Sequence, residues 1–200
     1  MGSYPIEKYG QAAMVDVETT GLDATEHEIL ELAVILFTFQ RSTGQIIRIK
    51  DGYAGLREPS GEIPRRASTI HGIHEDMVKN QSLDDYKIIN LIDQAEFIVA
   101  HNAPFDYSFV TRLYPSAMQK SWLCSMSQID WKGYGFHSKG LQNLLKAHKL
   151  NAGTAHRGKY DCEATLLLLN FRNPRGEHYF KELLLCLSSP YKAKPCSAVL

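Results

Sequence analysis

The 200-residue sequence lacks several things that would have directed its reading. It has four cysteines, Cys124, Cys162, Cys186 and Cys196. No two stand at a zinc-knuckle spacing, and a chain of this length buries about 70% of its unfolded surface without staples. Four reduced thiols are expected, and neither a disulfide scaffold nor a zinc module. No apolar run approaches the roughly 20 residues that span a bilayer, the tightest cluster being 166–169. No signal-peptide pattern opens the chain, so a cytoplasmic location and no membrane partner are expected. Net charge is missing too, because 22 Lys and Arg balance 22 Asp and Glu. On its own that counts against a general polyanion binder. There is no internal repeat and no low-complexity tract.

What is present begins with an asymmetry hidden in the zero. Residues 1–106 hold 9 basic and 17 acidic side chains, a balance of −8, and residues 107–200 hold 13 and 5, a balance of +8. Such a split between halves points to function rather than fold. At 44% apolar the chain reads as globular.

Strand-like runs come first, at 11–18, 28–39 and 45–53, separated by turn signals at 19–21 and 42–44. The short connections predict antiparallel neighbours. A loop follows at 58–66. Ser82 is placed to cap a helix through Asp93, with Leu83, Tyr86 and Ile89 along it. A buried strand at 96–100 leads into a helix from Pro104 to about Leu113, since proline suits a first helical turn. A short strand at 122–125 and helices at 141–148, 160–171 and 177–187 complete the pattern. Meandering strands followed by alternating helix and strand predict a mixed α/β sheet packed by helices. The boundaries read as one domain over 1–175 and a C-terminal helix with a flexible tail over 176–200.

Three segments carry chemistry. Asp16 and Glu18 lie two apart on a strand, so both carboxylates share a face. They repel each other unless a cation lies between them. HNAPFD at 101–106 follows a buried strand, where α/β folds place sites, and Asp106 falls in the first turn of the next helix. HRGKYD at 156–161 puts His156 five residues ahead of Asp161, which opens an apolar helix. Four acids without cysteine suit hard cations such as Mg²⁺ or Mn²⁺. Two such ions, roughly 3.5–4 Å apart, can activate water and stabilise a leaving oxygen in phosphodiester cleavage. A histidine with pKa near ~6.5 suits the base that deprotonates that water.

VDVETTG (15–21), HNAPFD (101–106) and HRGKYD (156–161) resemble the three exonuclease motifs of the DEDD superfamily, histidine subclass. This is the DnaQ-like group, related to the proofreading epsilon subunit of bacterial replicative polymerase. TIHGI at 69–73 also resembles a segment of the same group, at its H-G-I. The resemblance spans about residues 10–172. It implies a ribonuclease-H-like fold, with a five-stranded mixed sheet whose first three strands are antiparallel, flanked by helices. It implies metal-dependent 3′–5′ exonuclease activity that releases nucleoside 5′-monophosphates with two metal ions.

By the same resemblance Asp16, Glu18, Asp106 and Asp161 match the metal-binding acids and His156 the general base. Thr19, Thr20 and Leu22 match the grip on the terminal nucleotide. His71, His101, Asn102 and Phe105 are substrate-contact candidates, with structural hydrogen bonding the alternative for the two histidines. Gly158-Lys159 departs from the H-R-A-L-x-D form of the last motif. The departure leaves acid and base intact and is expected to loosen the loop of His156.

Arg157 and Lys159 flank that base and could hold a strand's phosphates. WKGYGFH at 131–137 is either a loop that stacks unpaired bases or simple packing. Single-stranded DNA is the favoured partner, in proofreading or repair, with a polymerase or repair protein as a possible companion. RNA or short-oligonucleotide trimming is the alternative substrate, and an inactive nucleic-acid-binding or polymerase-docking module the remaining reading. No pattern reads the RNA 2′-hydroxyl.

Overall fold

A computed structural model describes residues 8–150 and 157–188. Three long strands come first: β1 (Tyr9–Thr19), β2 (Ile29–Gln40) and β3 (Ile46–Leu56). The turns between them are too short for a crossover, so β2 pairs antiparallel with both neighbours. Two short strands, β4 (Phe97–Ala100) and β5 (Ser121–Cys124), extend the sheet in parallel from the other side of β1. The order is β3-β2-β1-β4-β5, a five-stranded mixed sheet with its first three strands antiparallel, as expected.

The helices are α1 (Arg65–His71), α2 (Glu75–Val78), α3 (Asp85–Gln94), α4 (Ala103–Leu113), α5 (Ser125–Gln128), α6 (Leu141–Ala147), α7 (Gly158–Asn170) and α8 (Tyr179–Leu185). None among the described residues is long and apolar enough to cross a membrane.

Side chains alternate across a strand, and the alternation sorts the sheet into two cores. Ala12, Met14, Ala33, Ile35, Phe37 and Phe39 face one side, where α7 and α8 pack. Ala13, Val15, Val17, Leu32, Val34 and Leu36 face the other, covered by α3 and α4. With both faces covered, β2 is apolar almost throughout. The helix of the expected C-terminal extension joins the first core. Phe180 of α8 meets the rings of Phe37 and Phe39 edge-on, with centroids 5.4 and 5.1 Å away. The expected tail from residue 189 lies outside the described residues.

One expectation changes here, and one open alternative closes. Helix α3 begins at Asp85, not after Ser82, because the Asp84 carboxylate accepts the Lys87 N–H at 2.9 Å and caps it. That start turns Ile88, Leu91 and Ile92 inward and leaves Tyr86 in solvent. The aromatic stretch 131–137 is packing, not an open stacking surface. Trp131 is fully buried and donates from its indole to the Ser125 carbonyl at 2.7 Å. Phe136 stacks on His148 with centroids 4.7 Å apart.

Candidate active site

The site lies at the C-terminal ends of β1 and β4, where the helices after parallel strands begin. Asp16 and Glu18 share the parity of Met14, so both side chains point to the α7 face of the sheet. Asp161 comes from the first turn of α7. Asp16, Glu18 and Asp161 each offer an oxygen, and these three atoms lie within 4.8 Å of one another. Asp106, from the first turn of α4, lines the same cleft but stands outside that triplet. Its Oδ1 accepts the backbone N–H of Val17 at 3.2 Å, which ties α4 to the end of β1.

Electrostatics fit a cation at this place. Burial pushes the Asp16 carboxyl well above the usual range, and Asp106, Glu18, Asp161 and Glu31 push it further. Burial raises Glu18 to about 8, with Asp161, Glu31 and Asp106 adding repulsion and Arg157 opposing it. Asp106 rises to about 7, again through burial, against the restraint of backbone N–H groups including that of Val17. Acids in this state shed their protons when a positive ion joins them. The triplet offers only carboxylate oxygen, which suits a hard divalent ion.

Two clefts meet at the acids. One, of about 500 Å³, holds the four acids with Asn102, Gly140, Gln142 and Asn143. The other, of about 510 Å³, is lined by Thr19, Thr20, Ile70 and His71 among others and is mostly apolar. Glu18, Leu22 and Phe105 border both. Leu22 is 82% exposed, an apolar side chain held in solvent at the junction.

The turn after β1 is built by its threonines. Thr19 donates to the Gly21 carbonyl at 2.6 Å. Thr20 accepts the Glu28 N–H at 3.0 Å, and its hydroxyl lies 3.2 Å from His27 Nδ1. Asn102 precedes α4 as its N-cap residue without a side-chain cap bond. His71 is buried, and its Nδ1 accepts the Ile73 N–H at 3.0 Å.

Two candidate substrate contacts are engaged elsewhere. His101 Nδ1 lies 2.8 Å from the Ser125 hydroxyl and Nε2 lies 2.8 Å from the Lys139 carbonyl. Burial lowers its pKa and favours the neutral ring. Nε2–H must then donate to the carbonyl, so Nδ1 accepts from Ser125. His101 therefore braces the segment before α6, the structural alternative. Arg157 does not reach out for phosphate. Its Nε and Nη2 donate to Glu31 at 3.2 and 3.1 Å. His156 lies outside the described residues.

Other residues at the site were not singled out from sequence. Gln142 donates to Asp161 Oδ1 at 3.2 Å. Ile70 supplies apolar surface to the second cleft. Glu31, buried beneath the start of α7, accepts from Arg157 and from the Gly158 N–H at 3.0 Å. Only the apolar run around Glu31 could have flagged it, as a charge where none is expected.

Comparison with known proteins agrees with this geometry. The family model described as exonuclease matches residues 14–169. The chain is 31% identical to DNA polymerase III subunit epsilon of Treponema pallidum, over 76% of this chain and 72% of that protein. It is 32% identical to exodeoxyribonuclease 10 of Escherichia coli, over 82% and 69% respectively. It also matches the PolC-type DNA polymerase III of Thermotoga petrophila at 34% identity over 60% of this chain, but spans only 8% of that protein. Among solved structures, exonuclease X in complex with 5′ overhanging duplex DNA superposes with a TM-score of 0.57 at 27% identity, covering 85% of this chain and 99% of that one. The chain belongs to the exonuclease family, in its DnaQ-like 3′–5′ branch.

Proposed function

We propose that this chain is a divalent-metal-dependent 3′–5′ exonuclease that trims single-stranded DNA and releases nucleoside 5′-monophosphates. The observation that carries the reading is the meeting of Asp16, Glu18 and Asp161 within 4.8 Å at the floor of a cleft that continues into an apolar groove.

Asp16, Glu18 and Asp161 would hold the metal, with Asp106 at the cleft wall. A pair of Mg²⁺ or Mn²⁺ ions, when bound, supplies Lewis-acid charge for the reacting water and the leaving oxygen. The chain's own residues do the rest. Leu22, Phe105 and Ile70 offer apolar surface on which the terminal base can lie. Thr19 and Thr20 set the turn that presents Leu22. Asn102 and His71 line the cleft walls. His156, assigned from its motif, takes the proton of the attacking water as the phosphodiester bond breaks. Water adds to phosphorus, the 3′-oxygen of the shortened strand leaves, and a 5′-mononucleotide is freed.

DNA is preferred on the names of exodeoxyribonuclease 10 and of the DNA-bound exonuclease X. Proofreading or repair is the setting that the polymerase III relatives suggest. The test uses matched DNA and RNA oligonucleotides labelled at the 5′ end, with Mg²⁺ and with Mn²⁺. The reading predicts a ladder of shortened DNA and slower loss of RNA. Faster RNA shortening would move the substrate to RNA. Nucleotide binding without product in either series would instead support an inactive binding module.

A further inference from the structure

Glu31 has no part in the chemistry just described, yet the site is built around it. It is 4% exposed and lies directly across β1–β2 from Glu18. Like charges facing each other across a sheet are destabilising. A buried carboxylate in that position needs compensation. Three hydrogen bonds supply it. The Arg157 guanidinium donates twice, at 3.2 and 3.1 Å, and the Gly158 N–H donates at 3.0 Å.

Both donors sit where the chain enters α7. Gly158 is the first residue of that helix, and the Asp161 N–H bonds back to the Arg157 carbonyl at 3.0 Å. The backbone of Gly158 presses on the sheet itself. A Cβ there would come within 3.1 Å of the Ala33 Cβ and 3.5 Å of the Asp16 carbonyl. Glu31 thus fixes the start of α7 by charge and by backbone, one turn before the acid that meets Asp16 and Glu18.

We propose that Glu31 is a positioning residue for the hydrolytic site. Its carboxylate holds the entry of α7 in place, so that Asp161 arrives within ligand distance of Asp16 and Glu18. The activity arm of the test rests on the exonuclease reading; the structural arm does not.

Glu31→Gln keeps the shape and one acceptor but removes the ion pair. Glu31→Asp keeps the charge on a shorter stem. Both are made in the full chain beside wild type. Partners that orient metal ligands typically matter by 10–100-fold. For Glu31→Gln a kcat lowered by about 10–100-fold is expected, with KM within about threefold, and Glu31→Asp recovers part of the loss. In the metal-free protein, hydrogen exchange at the amides of residues 158–161 quickens in Glu31→Gln, while exchange in β1 and β2 stays as in wild type.

Absence of product with wild type would refute the exonuclease reading and leave the exchange comparison to judge Glu31. Unchanged exchange at 158–161 in Glu31→Gln overturns the proposal, and so does a kcat within threefold of wild type. A raised KM with kcat preserved also overturns it, since it places the pair on the substrate. Should Glu31→Gln fail to fold, Arg157→Gln removes the same ion pair from its more exposed side and is read the same way.

Discussion

At the scale of single residues, the site is a cluster of acids that burial and mutual repulsion hold partly protonated. Glu18 is raised to about 8 and Asp106 to about 7. In the unfolded chain both titrate in the ordinary carboxylate range, near ~4. Between that range and pH 8 the folded state binds more protons than the unfolded one, so stability falls as pH rises. The metal-free protein is predicted to lose melting temperature steadily from about pH 5 to pH 8. Added Mg²⁺ or Mn²⁺ should raise the melting temperature more at pH 8 than at pH 6, because the ion replaces the protons. A thermal melt series with chelator and with metal checks both. Phe105 and Leu22 belong to the same scale. Phe105→Ala should raise KM for an oligonucleotide by roughly the 1–3 kcal/mol of one stacked base, about 5–150-fold; Leu22→Ala should raise it by less, with little change in melting temperature at this exposed position.

Elements decide how those residues meet, and here sequence and structure part company in instructive ways. Asp16, Glu18, Asp106 and Asp161 were legible because strand parity and helix starts place them whatever the packing. Glu31 was not. It sits inside a strand buried on both faces, where alternation is invisible and one charge reads as noise. The same limit explains α3. Both Ser82 and Asp84 are good caps, and only packing against β2 chooses the stripe Ile88, Leu91 and Ile92. Gly158, expected to loosen the loop of His156, which lies outside the described residues, is also where α7 presses against Ala33. Gly158→Val is therefore predicted to cost about 1–3 kcal/mol and to lower activity with it, measured by denaturant unfolding and turnover together. Helix α8 packs into the first core through Tyr179, Phe180 and Leu183. Phe180→Ala, deep among Phe37, Phe39 and Phe97, should cost about 3–5 kcal/mol. A cost below about 1 kcal/mol would make α8 peripheral to that core.

Across the whole molecule, the zero net charge is the sum of two unlike halves. The acidic half supplies Asp16, Glu18 and Asp106, and the basic half supplies Asp161. Arg157, four residues before Asp161, turns inward to Glu31. Attraction for a polyanion must then come from bound metal and from scattered surface bases. Oligonucleotide binding is predicted to be weak with chelator, stronger with metal, and to fall with added salt in both cases. Fluorescence anisotropy with an inert 3′-terminal analogue reads all three.

The most direct test of the account joins metal, acid and strand end in one measurement. A single-stranded DNA oligonucleotide labelled at its 5′ end is incubated with wild type and with Asp16→Ala, with Mg²⁺ or with chelator. Stepwise shortening from the 3′ end is expected of wild type with Mg²⁺, none with chelator, and a rate at least about 100-fold lower for Asp16→Ala. Shortening that persists in chelator, or at wild-type rate in Asp16→Ala, would contradict it.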